Sequence, residues 1–292
     1  MANLKEIRNR IVSVNSTMQI TSAMKMVSAA KLRRAQDAVT RMRPYASKLN
    51  AILGNLSGTM AELENRYVEA RPVKRVLIIP INSNRGLCGG FNANIIKETN
   101  RLLKTQYAEC DVEIMTVGKK AYDIFKKGDK LATTPGVNTS AENARVYDDI
   151  NFNASSAIFE RVMQAFWDRK FDEVILVYNS FKNAAVQMVK SERVLPVVAP
   201  EASESEIDFI FQPDKTGILE TLIPNALKAQ FYAALLDSNA AEHGARMTAM
   251  HKATDNAKDL LHNLKLTYNK ARQAAITTEI LEIVGGAEAL ND

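Results

Sequence analysis

"LKEIRNRIVSVNSTMQITSAMKMVSAAKL", residues 4–32, opens the pattern that decides the fold. Positions 4, 7, 11, 14, 18, 21, 25, 28 and 32 alternate steps of three and four and carry Leu, Ile, Ile, Val, Met, Thr, Lys, Ser and Leu. The alternation continues through Ala35, Val39, Met42, Ala46, Leu49, Leu53 and Leu56 to Met60. Fourteen of these seventeen positions are apolar, and a repeat averaging 3.5 residues, kept this long, holds one helix seam against one long partner. Pro44 is expected to loosen or kink the helix near Arg43 without ending the pattern. At 1.5 Å per residue, a helix over 3–60 runs roughly 85 Å.

The last third of the chain supplies the partner. From "QPDKTG" at 212–217 a second series runs through Leu219, Leu222, Ala226, Ala229, Ala233, Leu236, Ala240, His243, Met247, Met250, Thr254, Ala257, Leu261, Leu264, Tyr268, Ala271 and Ala275. Pro224 is expected to mark a kink or a restart. The economical pairing is an antiparallel two-helix coil. With Met60 set opposite Leu219, equal steps bring Leu4 opposite Ala275, and about fifteen residues of the second helix project alone. The apolar stripe changes phase at that point: the in-register positions become Thr278, Glu282 and Gly285, while Ile276, Ile280 and Ile283 shift one residue over. The tip therefore needs a surface outside its own coil.

Residues 73–196 between the coils form an α/β pattern. "VKRVLIIPI", "VEIMTVG" and "DEVILVYNSF" are buried-strand runs, with helix-like stretches at about 92–108, 119–127 and 152–169. "AAVQMVKSERVLPV" suggests an edge hairpin. The expected organisation is an N-terminal coiled-coil helix over 1–62, a central Rossmann-like α/β domain with a largely parallel sheet over 73–196, an acidic connector over 197–212 and a C-terminal coiled-coil helix over 213–292.

"SNRGLCGGFNANI" (83–95) follows the first strand, where dinucleotide folds place a phosphate loop. Gly86, Gly89 and Gly90 give G-x-x-G-G, not G-x-G-x-x-G, and no acidic residue ends the second strand. A tight strand-to-helix turn explains these glycines better than a cofactor site. The competing reading is a nucleotide-binding α/β domain carrying a coiled-coil arm. His243, His251 and His262 are spaced too widely for a metal site or a triad. Cys88 and Cys110 lack redox or metal spacing, and no catalytic constellation stands out, so neither cofactor nor metal is expected.

Charge is concentrated at the start. Residues 1–50 hold ten Lys and Arg against Glu6 and Asp37, a local balance of +8 in a chain whose net charge is +5. Residues 1–44 contain no aromatic, which argues against nucleic acid and for an acidic protein partner. Thr21, Lys25 and Ser28 occupy seam positions, and Ile20, Met24 and Val27 lie to one side, hinting at an outside sleeve. Apolar runs are strand-sized, too short for a bilayer span, and "MANLKEIRNRI" carries no signal-peptide core.

Three stretches together resemble the γ subunits of F-type ATP synthases: "IRNRIVSVNSTMQITSAMKMVSAAKLRRAQ", "NRGLCGGFN" and "ARMTAMHKATDNAKDLLHNLKLTYNKARQAAITTEILEIVGGAEA". The resemblance covers the whole chain. It implies a non-catalytic rotor shaft inside a ring of α and β subunits, resting on an ε subunit and a membrane ring of c subunits. The chain would then meet the cytoplasmic face of a bacterial membrane only through the complex. Arg272 and Gln273 match family residues that hydrogen-bond a β loop, with Thr277 and Glu279 in the same collar and Ile280 and Ile283 in the sleeve. Arg246 matches another residue of that coupling network, and Met24, near Lys25, matches a position facing an acidic β loop. Gln19 and Ser22 stand where relatives often carry Lys, and Asn84 where Asp often precedes the glycine turn. The regulatory cysteine pair of chloroplast members is absent, so thiol control is not expected, and the start at Met1 fits the bacterial form.

Overall fold

A seam of this length leaves little alternative to two long helices, and a computed structural model of the chain contains both. It describes residues 4–55, 67–69, 71–128, 130–137, 140–184, 186–197 and 215–288. In chain order the elements are α1 (Leu4–Asn55), β1 (Arg75–Pro80), α2 (Phe91–Lys104), β2 (Asp111–Ile114), α3 (Lys119–Phe125), α4 (Ser140–Val146), α5 (Phe152–Trp167), β3 (Glu173–Phe181), β4 (Gln187–Leu195) and α6 (Lys215–Glu288). The chain divides into two compact units, Ser28–Arg246 and Met1–Val27 with Met247–Asp292. The seam positions Leu56 and Met60, the connector residues 198–212 and Leu290 lie outside the described residues.

Within the larger unit the strands lie in the order β2-β1-β3-β4. β1 is parallel to both β2 and β3, and β4 returns antiparallel to β3 as an edge hairpin. Alternation along β1 explains the layering. Leu77, Ile79 and Ile81 face a core made with α5 and the first half of α6, including Phe159, Phe166, Ile223 and Phe231. Val76 and Ile78 face the opposite core with Phe91, Ile95 and Leu102 of α2. Both faces are thus covered, as a parallel sheet requires. Phe159 and Phe231 stack at 5.0 Å, fixing α5 against α6. Asn151 caps α5 by accepting a hydrogen bond from the amide of Ala154 at 2.8 Å.

α6 passes through three environments along its length. From Leu219 to Met250 it is buried or half-buried at nearly every position, because the sheet and α5 demand surfaces besides the seam. From His251 to Ala271 only a stripe is covered: Ala253, Thr254, Ala257, Leu261, Leu264, Tyr268 and Ala271. From Arg272 to Ala287 every residue is exposed. Neither Pro44 nor Pro224 ends its helix; both lie inside continuous ones.

In the smaller unit the register differs from the expected one. The hydroxyl of Thr254 donates to Oγ1 of Thr21 at 2.9 Å, and Nζ of Lys25 lies 3.2 Å from Nδ1 of His251. Equal steps from Met60 and Leu219 would have brought Thr21 to Lys258. The pairing sits about one helical turn earlier. Coverage accordingly ends at Ala271, not Ala275, and the unpaired tip is longer than periodicity indicated.

Close approach of α6 to the β3–β4 turn depends on one small residue. A Cβ on Gly244 would lie 3.3 Å from Cα and 3.4 Å from the carbonyl oxygen of Ala184. Gly244→Val is therefore expected to lower stability by about 1–3 kcal/mol through overpacking, measured as a fall in denaturation midpoint. Gly285→Ala, where nothing lies within 4 Å, is expected to raise helix stability by up to about 1 kcal/mol.

Candidate functional site

Three regions collect the residues singled out by the sequence: the turn after β1 with the helix covering it, the Met24–Lys25 stretch of α1, and the exposed end of α6. At the first, the three glycines differ in what the backbone asks of them. Gly89 sits at φ +57°, and Leu87 beside it at φ +63°, a conformation that costs an L-residue strain. Gly90 is the N-cap residue of α2, without a side-chain cap. Gly86 adopts no left-handed conformation; a Cβ there would meet only the end of Lys120 at 3.9 Å. The turn is held instead by amides. Asn92 accepts from the backbone of Ser83 at 3.0 Å and donates to Oγ of Ser83 at 2.8 Å and to Sγ of Cys88 at 3.2 Å. Cys88 is buried, and burial pushes its thiol pKa up, so it stays protonated and packs as a small core side chain.

In dinucleotide folds a ligand occupies the crevice beyond the carboxyl ends of the strands. Here α6 fills that position. Ser238 donates to the carbonyl of Ile81 at 3.5 Å, and its Oγ lies 3.2 Å from the hydroxyl of Tyr147. Ser180, at the end of β3, donates to Asp237 at 3.0 Å. Arg246 pairs through Nη1 with Glu242, and its Nη2 donates to the carbonyls of Arg85 and Gly86, each at 3.3 Å. Tyr147 also hydrogen-bonds Glu242. The crevice is thus closed by the chain's own polar groups, which removes the room that the nucleotide-binding alternative needs.

Burial raises the Glu242 pKa, and the Arg246 guanidinium partly offsets the rise. His243, in the seam between Lys31 and Arg246, is held neutral: burial first, then the two cations, lower its pKa to about 4. Arg246 is only 8% exposed. The sequence singled it out for an external partner; in the folded chain its donors are turned to its own turn. Glu242, Tyr147 and Ser238 were not anticipated. The i, i+4 spacing of Glu242 and Arg246 inside the small-residue run "AAEHGAR" is the signal that could have found them.

Met24 and Lys25 are both half-buried, with Lys25 engaged at His251. The outward apolar residues of this stretch are Ile20, Met26 and Val27, exposed by 60%, 65% and 57%. Met26 was not singled out by sequence. At the tip, Arg272, Gln273 and Glu279 are exposed, and the Thr277 hydroxyl donates back to the carbonyl of Gln273 at 3.0 Å. Ile276, Ile280 and Ile283 follow at helical spacing on the uncovered surface, with Leu281 and Val284 beside them. The tip residues belong to the smaller unit and Arg246 to the larger. Among the described residues no group of His, Cys, Asp and Glu has metal-ligand geometry, and no helix is long and apolar enough to cross a membrane.

The sequence matches the ATP synthase family over residues 3–290. It is 55% identical over 293 residues to the ATP synthase gamma chain of Christiangramia forsetii, and 54% identical over 294 residues to that of Flavobacterium johnsoniae; each alignment covers both chains fully. A chain in the central stalk/c-ring structure of the Tetrahymena thermophila mitochondrial ATP synthase superposes with a TM-score of 0.57 at 25% identity, covering 80% of this chain and 99% of that one. A chain of the Euglena gracilis mitochondrial enzyme shares the fold with a TM-score of 0.65 at 20% identity, covering 98% and 94%.

Two outcomes test the buried polar cluster. Arg246→Ala strands the Glu242 carboxylate and is expected to cost about 3–5 kcal/mol in chemical denaturation, whereas the double replacement Glu242→Gln, Arg246→Met is expected to cost less. A folded-state His pKa below the unfolded one means stability is intact above the unfolded pKa and is lost as pH falls from about 6.5 towards 4. In His243→Gln the stability difference between pH 7 and pH 5 should shrink by about 1 kcal/mol, a value reduced for partial exposure.

Proposed function

The chain belongs to the ATP synthase gamma-chain family, and from that premise we propose how it works: as the central-stalk rotor subunit, carrying torque between an ion-driven c-ring and the catalytic β subunits. The observation that carries this reading is the end of α6. A helix that continues through residues 272–287 with every side chain exposed, and with Ile276, Ile280 and Ile283 on it, is stable only when something outside the chain covers it.

The cover fitting this tip is a ring of α and β subunits. An apolar sleeve would bury Ile280 and Ile283, and the polar collar of Arg272, Gln273, Thr277 and Glu279 would hydrogen-bond β loops just below. On α1, Met24 and Lys25, with exposed Ile20, Met26 and Val27, would face acidic β loops. The local charge of +8 over residues 1–50 supports an acidic partner there. Arg246 contributes from inside, by fastening α6 to the turn after β1. The α/β domain would sit on the ε subunit and the c-ring, at the cytoplasmic face of the bacterial membrane, with no membrane contact of its own. Bond chemistry stays with the β subunits; this chain imposes asymmetry on three identical sites.

Ending the chain after Ala271 tests the assignment. The shortened subunit is expected to keep the thermal melting of its α/β domain, since residues 272–287 are all exposed. Reconstituted with α, β and ε subunits and the membrane sector in vesicles, it should pump several-fold fewer ions per ATP hydrolysed than the full chain. Equal pumping by the two chains would sink the role given to the tip.

A further inference from the structure

On the coil of the smaller unit one nitrogen faces two partners that make opposite demands on it. Nζ of Lys25 on α1 lies 3.2 Å from Nδ1 of His251 on α6, and Oδ2 of Asp255, one turn further along α6, lies 3.4 Å from that same Nδ1. An ammonium only donates, so the Lys25 contact requires Nδ1 to be a bare acceptor, with the ring proton on Nε2. An ionised carboxylate only accepts, so a hydrogen bond to Asp255 requires a proton on Nδ1. The two bonds exclude each other. A neutral ring holds Lys25; a doubly protonated ring turns to Asp255 and repels Lys25.

The neighbouring residues leave this choice to the ring proton. Lys25 is the only charged residue of α1 between Thr21 and Ser28, and on α6 Lys252 is the only charged residue between Met247 and Asp255 besides those two partners of Lys25. The His251 and Asp255 side chains are 55% and 59% exposed, so protons reach the ring from solvent. An imidazole changes charge between about pH 5 and 8. The helices need not move with it. Beside the contact, the Thr21 and Thr254 hydroxyls join the seam at 2.9 Å and do not titrate in this range. What moves is the Lys25 ammonium on its flexible stem.

We propose that His251 is a proton-operated latch on Lys25: the neutral ring ties the ammonium to α6, and protonation releases it to the surface of α1 while Nδ1–H passes to Asp255. Lys25, His251 and Asp255 together carry no net charge in the first state and one positive charge in the second. Lys25 belongs to the stretch assigned to acidic β loops, so the latch strengthens that contact as pH falls. This use of the latch rests on the rotor reading; the latch itself does not.

NMR of the full chain, labelled in its lysine side chains and histidine rings, tests the latch. The Lys25 resonance, identified by its loss in Lys25→Arg, should shift as pH falls from about 8 to about 5, with the same midpoint as the His251 ring. In His251→Gln, whose amide oxygen accepts from Lys25 at every pH, the shift should vanish. In His251→Lys, a lasting cation beside Asp255, the signal should stay at its released position. A Lys25 resonance that ignores the His251 titration, or that still titrates in His251→Gln, overturns the latch. Its use is read from the association rates of the wild-type and His251→Gln chains with α and β subunits; their ratio removes the pH response of the partners. That ratio should rise about threefold from about pH 8 to about pH 6 at low salt and stay flat at high salt. A flat ratio at low salt beside a working latch overturns the regulatory use. Failure of both chains to associate at any pH counts against the rotor reading instead.

Discussion

Burial of one continuous apolar seam is the constraint from which the rest of the structure follows. A helix the length of α1 has no stability of its own to spare, since propensity alone leaves isolated helices marginal in water. What holds it is coverage: every position of the three-four series from Leu4 to Leu49 is buried or half-buried. The residues between them carry the basic charge, so solvent and seam divide the helix cleanly. A coil of this kind forces its two strands to come from opposite ends of the chain. The α/β domain is the connection that turns the chain round.

α6 satisfies more than the seam. Over 219–246 it serves α1, the sheet and α5 at once, and its composition reflects that crowding: Ala229, Ala234, Ala240, Ala241, Gly244 and Ala245 let backbones approach closely. Where it crosses the strand ends it carries the polar groups that a ligand would otherwise have met. A buried Glu242–Arg246 pair adds little net stability over apolar residues of the same shape. Its value is directional, because only one placement of α6 gives Arg246 both turn carbonyls.

Much of this was legible in the sequence, and the misses have physical causes. The seam, the parallel strands and the β3–β4 hairpin follow from period and run length, which burial enforces. The register does not, because a three-four repeat looks the same after a shift of one turn; only the Thr21–Thr254 and Lys25–His251 contacts distinguish the alternatives. Pro44 lies inside a continuous helix, as the unbroken pattern around it indicated, and Pro224 marks no restart, because the packing of α6 outweighs one lost backbone bond. The short α4 carries too few residues for a period. Within the candidate site, the exposed tip was visible as a phase change, whereas the inward turn of Arg246 was hidden. A charged residue on a helix gives no sign of which way it points until the turn it contacts is folded beside it.

The polar rung at Thr21 and Thr254 has a consequence of its own. A seam of leucines and isoleucines alone would be nearly indifferent to sliding, and a shaft whose strands slip stores no angle. Thr21 is almost fully buried, and its hydroxyl is satisfied by the Met18 carbonyl at 3.0 Å and by Thr254 across the seam. Sliding by a turn would break the second contact and set Lys25 against a residue other than His251. The rung works as an index mark on two otherwise uniform scales. It costs some hydrophobic burial and fixes the zero from which any twist along the coil is counted.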